Sequence, residues 1–273
     1  MIKVIKESFL ITNNHISIAT PLILFSLIST MYLILSAGNG TLGLIISITL
    51  FLLMLGAFLS GWFYMIKKSV TENDSNNEIS LIKEFTSGVG EYFLIILGML
   101  VNLIIISTVL ISCSVLIGKN IIGDPEITYS QLTSAVANLE SMKAFANSLS
   151  QEQLIKINSW NILIFFTMIL NYFIIMFYPP AIYFKHKNPF LAFFVSFKDL
   201  FGRFFLNTIG LFLILIFIYF CINISNAVFG NNIFIHFIIT LLNFYYLTFT
   251  AVLVFNYYYT NFAKIGSNID KTI

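Results

Sequence analysis

Charged residues are scarce in this chain, and four long stretches lack them completely. Only 10% of the 273 residues are Asp, Glu, Lys or Arg, against about a quarter in soluble domains. No charge occurs in residues 8–66, 92–118, 157–184 or 204–263. About 20 apolar residues cross a hydrocarbon core of about 30 Å, so the middle stretches predict one span each and the longer outer stretches two each. The sequence therefore predicts an all-α, polytopic membrane bundle with six transmembrane helices.

The span boundaries follow from turn-forming residues. Gly38-Asn39-Gly40 interrupts the first long stretch and Gly230-Asn231-Asn232 the last, and both are compositions that helices avoid. We treat residues 1–273 as a single integral membrane domain. The predicted spans are 16–37, 41–66, 91–117, 158–184, 204–229 and 233–262.

Residues that carry chemistry are also scarce. Cys113 and Cys221 lie in apolar stretches, where free thiols behave as small hydrophobes. His15, His186 and His236 are far apart in sequence and predict no metal site. The net charge of +2 gives no reason to expect nucleic acid. We find no catalytic or cofactor-binding motif, and therefore expect a protein that is not an enzyme and uses no cofactor.

Amides are the polar groups that the predicted spans do contain. Asn102, Asn171 and Asn243 fall near the middle of the third, fourth and sixth spans, where an unsatisfied side chain is costly. The first interpretation is that they form hydrogen bonds between helices. The alternative is that they line a polar cavity that binds a headgroup or small solute, and on that basis they are our candidate binding residues.

Basic residues predict the orientation. Eleven lie on the side of the N-terminus and only Lys119, Lys143 and Lys156 lie opposite, which predicts cytoplasmic termini in a bacterial plasma membrane. Aromatic residues at the same span ends, including Trp62, Tyr92, Tyr183 and the run 257–259, are typical of interfacial belts. The eleven are Lys3, Lys6, Lys67, Lys68, Lys83, Lys185, Lys187, Lys198, Arg203, Lys264 and Lys271.

A basic-acidic pair precedes each odd-numbered span, which suggests three repeats of an interfacial helix followed by a transmembrane hairpin. The pairs are Lys6-Glu7, Lys83-Glu84 and Lys198-Asp199, nearly evenly spaced once the long outer loop is discounted. In the third piece Asn188 and Pro189 are suited to a helix start. This helix has an apolar face typical of one lying flat in the headgroup layer, formed by Phe190, Phe194, Phe197 and Phe201.

The outer loop, residues 118–157, is inserted in the second hairpin and predicts two helices. Thr128 with Gln131, and Ser150 with Gln153, have the spacing of capping boxes. The first helix, 129–149, carries an apolar stripe that must be covered by lipid, by the bundle or by a protein partner.

The fourth span and the segment after it resemble a known group of proteins. The segment Pro179–Tyr183 (PPAIY), followed by Asn188-Pro189 and by Ala192, Ser196 and Lys198, resembles prokaryotic six-span families, mostly of unknown function. These include the membrane domain of some glycerophosphodiester phosphodiesterases. The resemblance implies a six-span fold. The phenylalanine-rich helix and the long outer loop depart from the pattern, and phosphodiesterase activity is not implied.

These features together favour a non-enzymatic membrane protein that contacts lipid or a protein partner. The alternative is a small permease or transporter subunit. The two differ in whether the three central asparagines line a common polar path.

Overall fold

A computed structural model describes residues 1–36, 41–72, 81–127, 133, 139–229 and 232–264. No strand occurs in these ranges. Six of the helical segments are long and apolar enough to cross a membrane, as predicted. The helices are α1 (Ile2–Asn14), α2 (Ala19–Ser36, preceded by the 3-10 turn Ile16–Ile18), α3 (Thr41–Thr71), α4 (Leu81–Ile121), α5 (Leu139–Ser148), α6 (Gln151–Ile175), α7 (Tyr178–Phe184), α8 (Pro189–Leu200), α9 (Phe205–Phe229) and α10 (Ile233–Tyr258, followed by the π-helical turn Tyr259–Ala263).

The second predicted interfacial piece is not a separate helix. Residues from Leu81 onward continue without a break into the third span, so that α4 has 41 residues and is about 60 Å long at 1.5 Å per residue. A separate short helix therefore precedes the first and third hairpins, as α1 and α8, but not the second. The location of α1 and α8 in the membrane interface stays a prediction. Gly88 and Gly90 do not interrupt α4, and Gly88 is a close contact point with α3.

The start of α8 is as predicted. The Asn188 side chain accepts hydrogen bonds from the backbone N–H of Phe190 and Leu191, at 2.9 and 3.3 Å, and Pro189 occupies the first turn. Pro suits this position because its missing N–H would have had no partner inside the helix.

The fourth span is interrupted near its end. Its two parts are α6, which ends at Ile175, and α7, which begins at Tyr178. Pro179 and Pro180 lie in the first turn of α7, where they remove two N–H donors and restrict the residues before them. The prolines therefore lie at the start of a new helical segment, and the fourth span is not one continuous helix.

The outer loop follows its predicted capping pattern where it is described. The backbone N–H of Ser150 donates to Gln153 Oε1 at 3.0 Å, and the N–H of Gln153 donates to Ser150 Oγ at 3.2 Å, which forms the capping box before α6. The Thr128–Gln131 box lies outside the described residues. Of the predicted helix 129–149, the part from Leu139 to Ser148 is helical as α5, and its contact with a protein partner stays a prediction.

The chain forms two compact units. Unit 1 contains Met1–Asn102 and Ile174–Ile273, and unit 2 contains Leu103–Phe173. In unit 1 the first helix contacts the sixth span, because Asn256 Nδ2 on α10 donates to Ser8 Oγ on α1 at 3.0 Å. In unit 2, Trp160 Nε1 donates to the carbonyl of Gly123 at 3.0 Å, and the Trp160 ring lies against Gly118.

Small residues let α3 and α4 approach closely. On α3, Gly56 with Ser60 and Ala57 with Gly61 have the small-xxx-small spacing that predicts close approach of a neighbouring helix. A Cβ placed on Gly56 would meet Leu97 Cδ2 at 2.6 Å, and one on Gly61 would meet the Phe85 ring at 2.6 Å. On the facing side, a Cβ on Gly88 would be 2.5 Å from Tyr64 Cβ and 2.8 Å from the backbone oxygen of Ser60. The backbone oxygen cannot rotate away, so Gly88 is the strictest of these contacts.

We predict that Gly88→Ala lowers stability in detergent by about 1–3 kcal/mol, because the added methyl forces α3 and α4 apart. Gly90→Ala is the matched control. It lies in the same helix with nothing within 4 Å of the added Cβ, and alanine should raise stability by about 0.5–1 kcal/mol through its helix propensity. Denaturation in mixed micelles would measure both, and a loss of the same size at the two positions would contradict the close contact.

Candidate functional site

The three predicted site residues have different surroundings. Asn102 is 7% exposed and its Nδ2 donates to the Tyr178 hydroxyl at 3.0 Å, which joins α4 to α7 within unit 1. Asn171 exchanges hydrogen bonds with Ser107 within unit 2, with Asn171 Nδ2 to Ser107 Oγ at 3.0 Å. Asn243 is half-buried, and its side chain has no hydrogen-bond partner among the residues that the structure describes.

The contacts of each asparagine lie within its own unit, Asn102 and Asn243 in unit 1 and Asn171 in unit 2. Within the described part of unit 1 no hydrogen bond joins Asn102 to Asn243. Two of the three amides are therefore engaged in helix-to-helix hydrogen bonds, each worth about 1 kcal/mol or less in a membrane. A binding role for these residues stays a prediction.

The densest group of polar contacts is the lysine-rich end of unit 1, defined here by Lys67, Lys185 and Lys187. Its anchor is Asp199 on α8. Asp199 Oδ2 accepts from Lys185 Nζ at 2.7 Å and from the Tyr258 hydroxyl at 2.6 Å. One carboxylate thus connects α8 to the residue after α7 and to the end of α10.

Aromatic rings surround this ion pair. Lys185 Nζ lies 5.4 Å from the Tyr258 ring centre and 5.8 Å from that of Phe262, within cation-π range. The Lys185 and Asp199 side chains are only 25% and 15% exposed. At this burial a charge is retained only with a partner, because removal from water is otherwise too costly.

A second group of contacts surrounds Tyr92. Its ring stacks on Tyr183 with centres 4.3 Å apart, and the Tyr183 hydroxyl donates to the backbone oxygen of Ser60 at 2.8 Å. Lys187 Nζ pairs with Glu91 Oε1 at 2.7 Å and lies 5.4 Å from the Tyr92 ring centre. These contacts join α3, α4 and α7.

Lys67 differs from its neighbours because it lacks an acidic partner. Its Nζ lies 5.5 and 5.6 Å from the ring centres of Tyr64 and Tyr92 and 3.4 Å from the Tyr92 hydroxyl. Among the described residues no carboxylate lies within ion-pair distance of it, whereas Lys68 beside it pairs with Glu72 at 2.6 Å. The lysine-rich end therefore holds a half-buried ammonium group without an ion pair among the described residues, although Glu91, which pairs with Lys187, acts on it at longer range.

The phenylalanine stripe of α8 faces away from the protein. Ala192, Ser196 and Leu200 on the opposite face are fully buried. The stripe residues Phe190, Phe194, Phe197 and Phe201 are all exposed. The helix thus packs on unit 1 through Ala192, Ser196 and Leu200 and leaves its phenylalanine stripe uncovered by unit 1.

Several aromatic residues expected in an interfacial belt are instead buried in protein. Tyr92, Tyr183, Tyr257 and Tyr258 are between 0% and 4% exposed. Trp62 is 6% exposed, and its indole N–H donates to the carbonyl of Ile18 at 2.9 Å. The belt interpretation is wrong for these residues, because they are buried and their polar atoms bond to partners inside the protein. Their position near the ends of spans does not distinguish this burial from a place in a belt.

The part of the chain that the structure describes contains no group of three or more His, Cys, Asp or Glu side chains that could hold a metal ion. Comparison with known proteins finds no matching family model, no similar curated protein and no similar solved structure. The resemblance to prokaryotic six-span families therefore stays a prediction. By its six long apolar helices the chain is an integral membrane protein.

We predict that Asp199→Asn lowers stability in detergent by about 1–3 kcal/mol, because it leaves the half-buried Lys185 ammonium without a counter-charge. Glu152→Gln is the matched control. Glu152 also pairs with a lysine, at 2.8 Å from Lys156, but it is 77% exposed, so its loss should lower stability much less than the loss of Asp199. Thermal unfolding of the two variants in one detergent would measure both effects. An equal loss of stability in Asp199→Asn and Glu152→Gln would contradict the anchoring role of Asp199.

Proposed function

We propose that this chain is a non-enzymatic integral membrane protein that interacts with membrane lipid through its lysine-rich end. The observation that carries the proposal is the orientation of α8. This helix lies between two spans in the sequence, buries the face formed by Ala192, Ser196 and Leu200 against unit 1 and exposes the four phenylalanines of its stripe. An exposed apolar stripe of this kind must be covered, and lipid is the covering that is adjacent to a membrane span.

The charge of the same region supports this proposal. Lys198 and Arg203 are exposed at the end of α8 and just after it, and Lys67 forms no ion pair among the described residues. Each Lys or Arg close to an anionic membrane surface contributes about 1 kcal/mol of attraction. A helix with phenylalanines on one face and basic residues nearby is suited to the boundary between headgroups and acyl chains.

The proposed location is the bacterial plasma membrane, with both termini in the cytoplasm. The excess of eleven basic residues over three on the side of the N-terminus supports this orientation. The contacts of Lys67, Lys185 and Lys187 with the aromatic cluster also support it, since these lysines, from α3 and from the segment between α7 and α8, gather at one end of unit 1.

The transporter alternative depends on a polar path lined by the central asparagines. Asn102 and Asn171 instead bond to Tyr178 and Ser107 on neighbouring helices, which supports a packing role for both. No contact of the described residues favours the alternative.

We predict that α8 lies in the membrane surface with its phenylalanines toward the acyl chains. In a background of Cys113→Ala and Cys221→Ala, spin labels at Phe194→Cys and His186→Cys would compare the phenylalanine stripe with an exposed position in the segment before α8. In lipid nanodiscs the label at 194 should collide more with oxygen, which concentrates in lipid, than with a water-soluble nickel complex. The label at 186 should show the reverse. Preferential nickel access at both positions would contradict the proposal.

A further inference from the structure

An apolar groove of about 590 Å³ lies between α2 and α3 in unit 1, within the range of about 300–1,000 Å³ typical of small-molecule sites. Thr20, Leu24 and Ile28 line it from α2, and Met54 and Phe58 line it from α3. Its open side faces away from the protein, because Leu24 and Ile28 are 53% and 54% exposed. The groove therefore opens directly to the medium that surrounds the spans.

The walls of the groove are held in place by contacts between its two helices. Phe25 of α2 stacks on Phe58 of α3 with ring centres 4.3 Å apart. At one end the Trp62 indole N–H bonds to Ile18, and beyond the other end the Tyr32 hydroxyl donates to the carbonyl of Ser47 at 2.9 Å. These contacts keep the helices paired on both sides of the groove, so its shape is part of the packed structure.

The length of the groove matches one leaflet of a bilayer. From Thr20 to Ile28 along α2 is about 12 Å, and from Met65 to Met54 along α3 about 16 Å, at 1.5 Å per residue. One half of a hydrocarbon core is about 15 Å thick. A groove that ends near the middle of the two helices is therefore as long as a single acyl chain in one leaflet.

The polarity of the groove changes along this length. Ser17 and Thr20 contribute hydroxyls at one end, and neither side chain has a hydrogen-bond partner among the described residues. Lys68 lies one helical turn beyond Met65 on α3 at the same end. The remaining lining is apolar, which is the order of polar and apolar groups in a membrane lipid.

We propose that this groove binds one acyl chain of a phospholipid, with the glycerol and headgroup at the Ser17 and Thr20 end. Binding does not depend on water leaving apolar surface, because a lipid chain is already in hydrocarbon. It depends on dispersion contacts, which the walls would lose if the groove were empty. The inference shares with the proposed function only the membrane location and does not involve α8.

The test is the amount of lipid retained by full-length protein in dodecyl maltoside, measured by native mass spectrometry with added phosphatidylglycerol. Wild-type protein should retain one lipid through repeated detergent exchange. Leu24→Trp fills the groove from its open side and should lower retention at least tenfold. Leu27→Trp is the matched control, because Leu27 is on the same helix and 60% exposed but does not line the groove; it should retain lipid like wild type.

Two results would overturn the proposal: no lipid retained by wild-type protein, or equal retention by the two tryptophan variants. If Leu24→Trp fails to fold, Ile28→Trp replaces it against the same control.

In addition, Trp62 fluorescence in a Trp160→Phe background reports on the groove directly, since Trp62 stacks on Phe58 at 5.5 Å. Titration with dibrominated phosphatidylglycerol should quench the Trp62 fluorescence, and the quenching should saturate near one lipid per protein. Quenching without saturation would contradict a single site. Neither lipid retention nor Trp62 quenching depends on the position of α8. A failure of the groove proposal can therefore be distinguished from a failure of the proposed function.

Discussion

The structure depends on hydrocarbon as its surroundings. In the first span only 6% of an 18-residue apolar window is buried by other parts of the protein, and in the last span 33%. Lipid must cover the remaining apolar surface. In that medium backbone N–H and C=O groups have no water to bond, so each span satisfies them internally as a helix. Serine and threonine side chains in the spans follow the same rule, as when Thr108 Oγ1 donates to the carbonyl of Ile104 at 2.8 Å.

This environment also explains why specific contacts gather at the lysine-rich end. Apolar side chains gain little by leaving lipid for another helix, so close packing and hydrogen bonds must decide which helices meet. The strongest such contacts involve Asp199, Tyr183 and Tyr258. Near the boundary with water, charged groups can be paired with a smaller desolvation cost than in the membrane interior, and buried tyrosines can carry a polar atom into an otherwise apolar cluster. The same region holds Lys67, which has no ion pair among the described residues, and the exposed phenylalanine stripe of α8.

Much of the fold could be predicted from local sequence. Absence of charge located the six spans, and the caps at Asn188 and at Ser150 with Gln153 depend on residues at most three positions apart. The continuity of α4 could not be predicted, because Gly88 resembles a helix breaker until Tyr64 and Ser60 are known to contact it. The burial of Tyr258 was missed for a related reason. Its partner Asp199 is 59 positions away, and such a contact leaves no periodic signal in one sequence.

The central claim is that the charge-free segments cross a membrane and that the lysine-rich end faces the cytoplasm. It is tested most directly by labelling single cysteines at His186→Cys and Lys143→Cys, both exposed positions, in a background lacking Cys113 and Cys221. In intact bacterial cells an impermeant maleimide should label position 143, and position 186 only after the membrane is permeabilised. Labelling of position 186 in intact cells, with or without labelling of position 143, would contradict the claim.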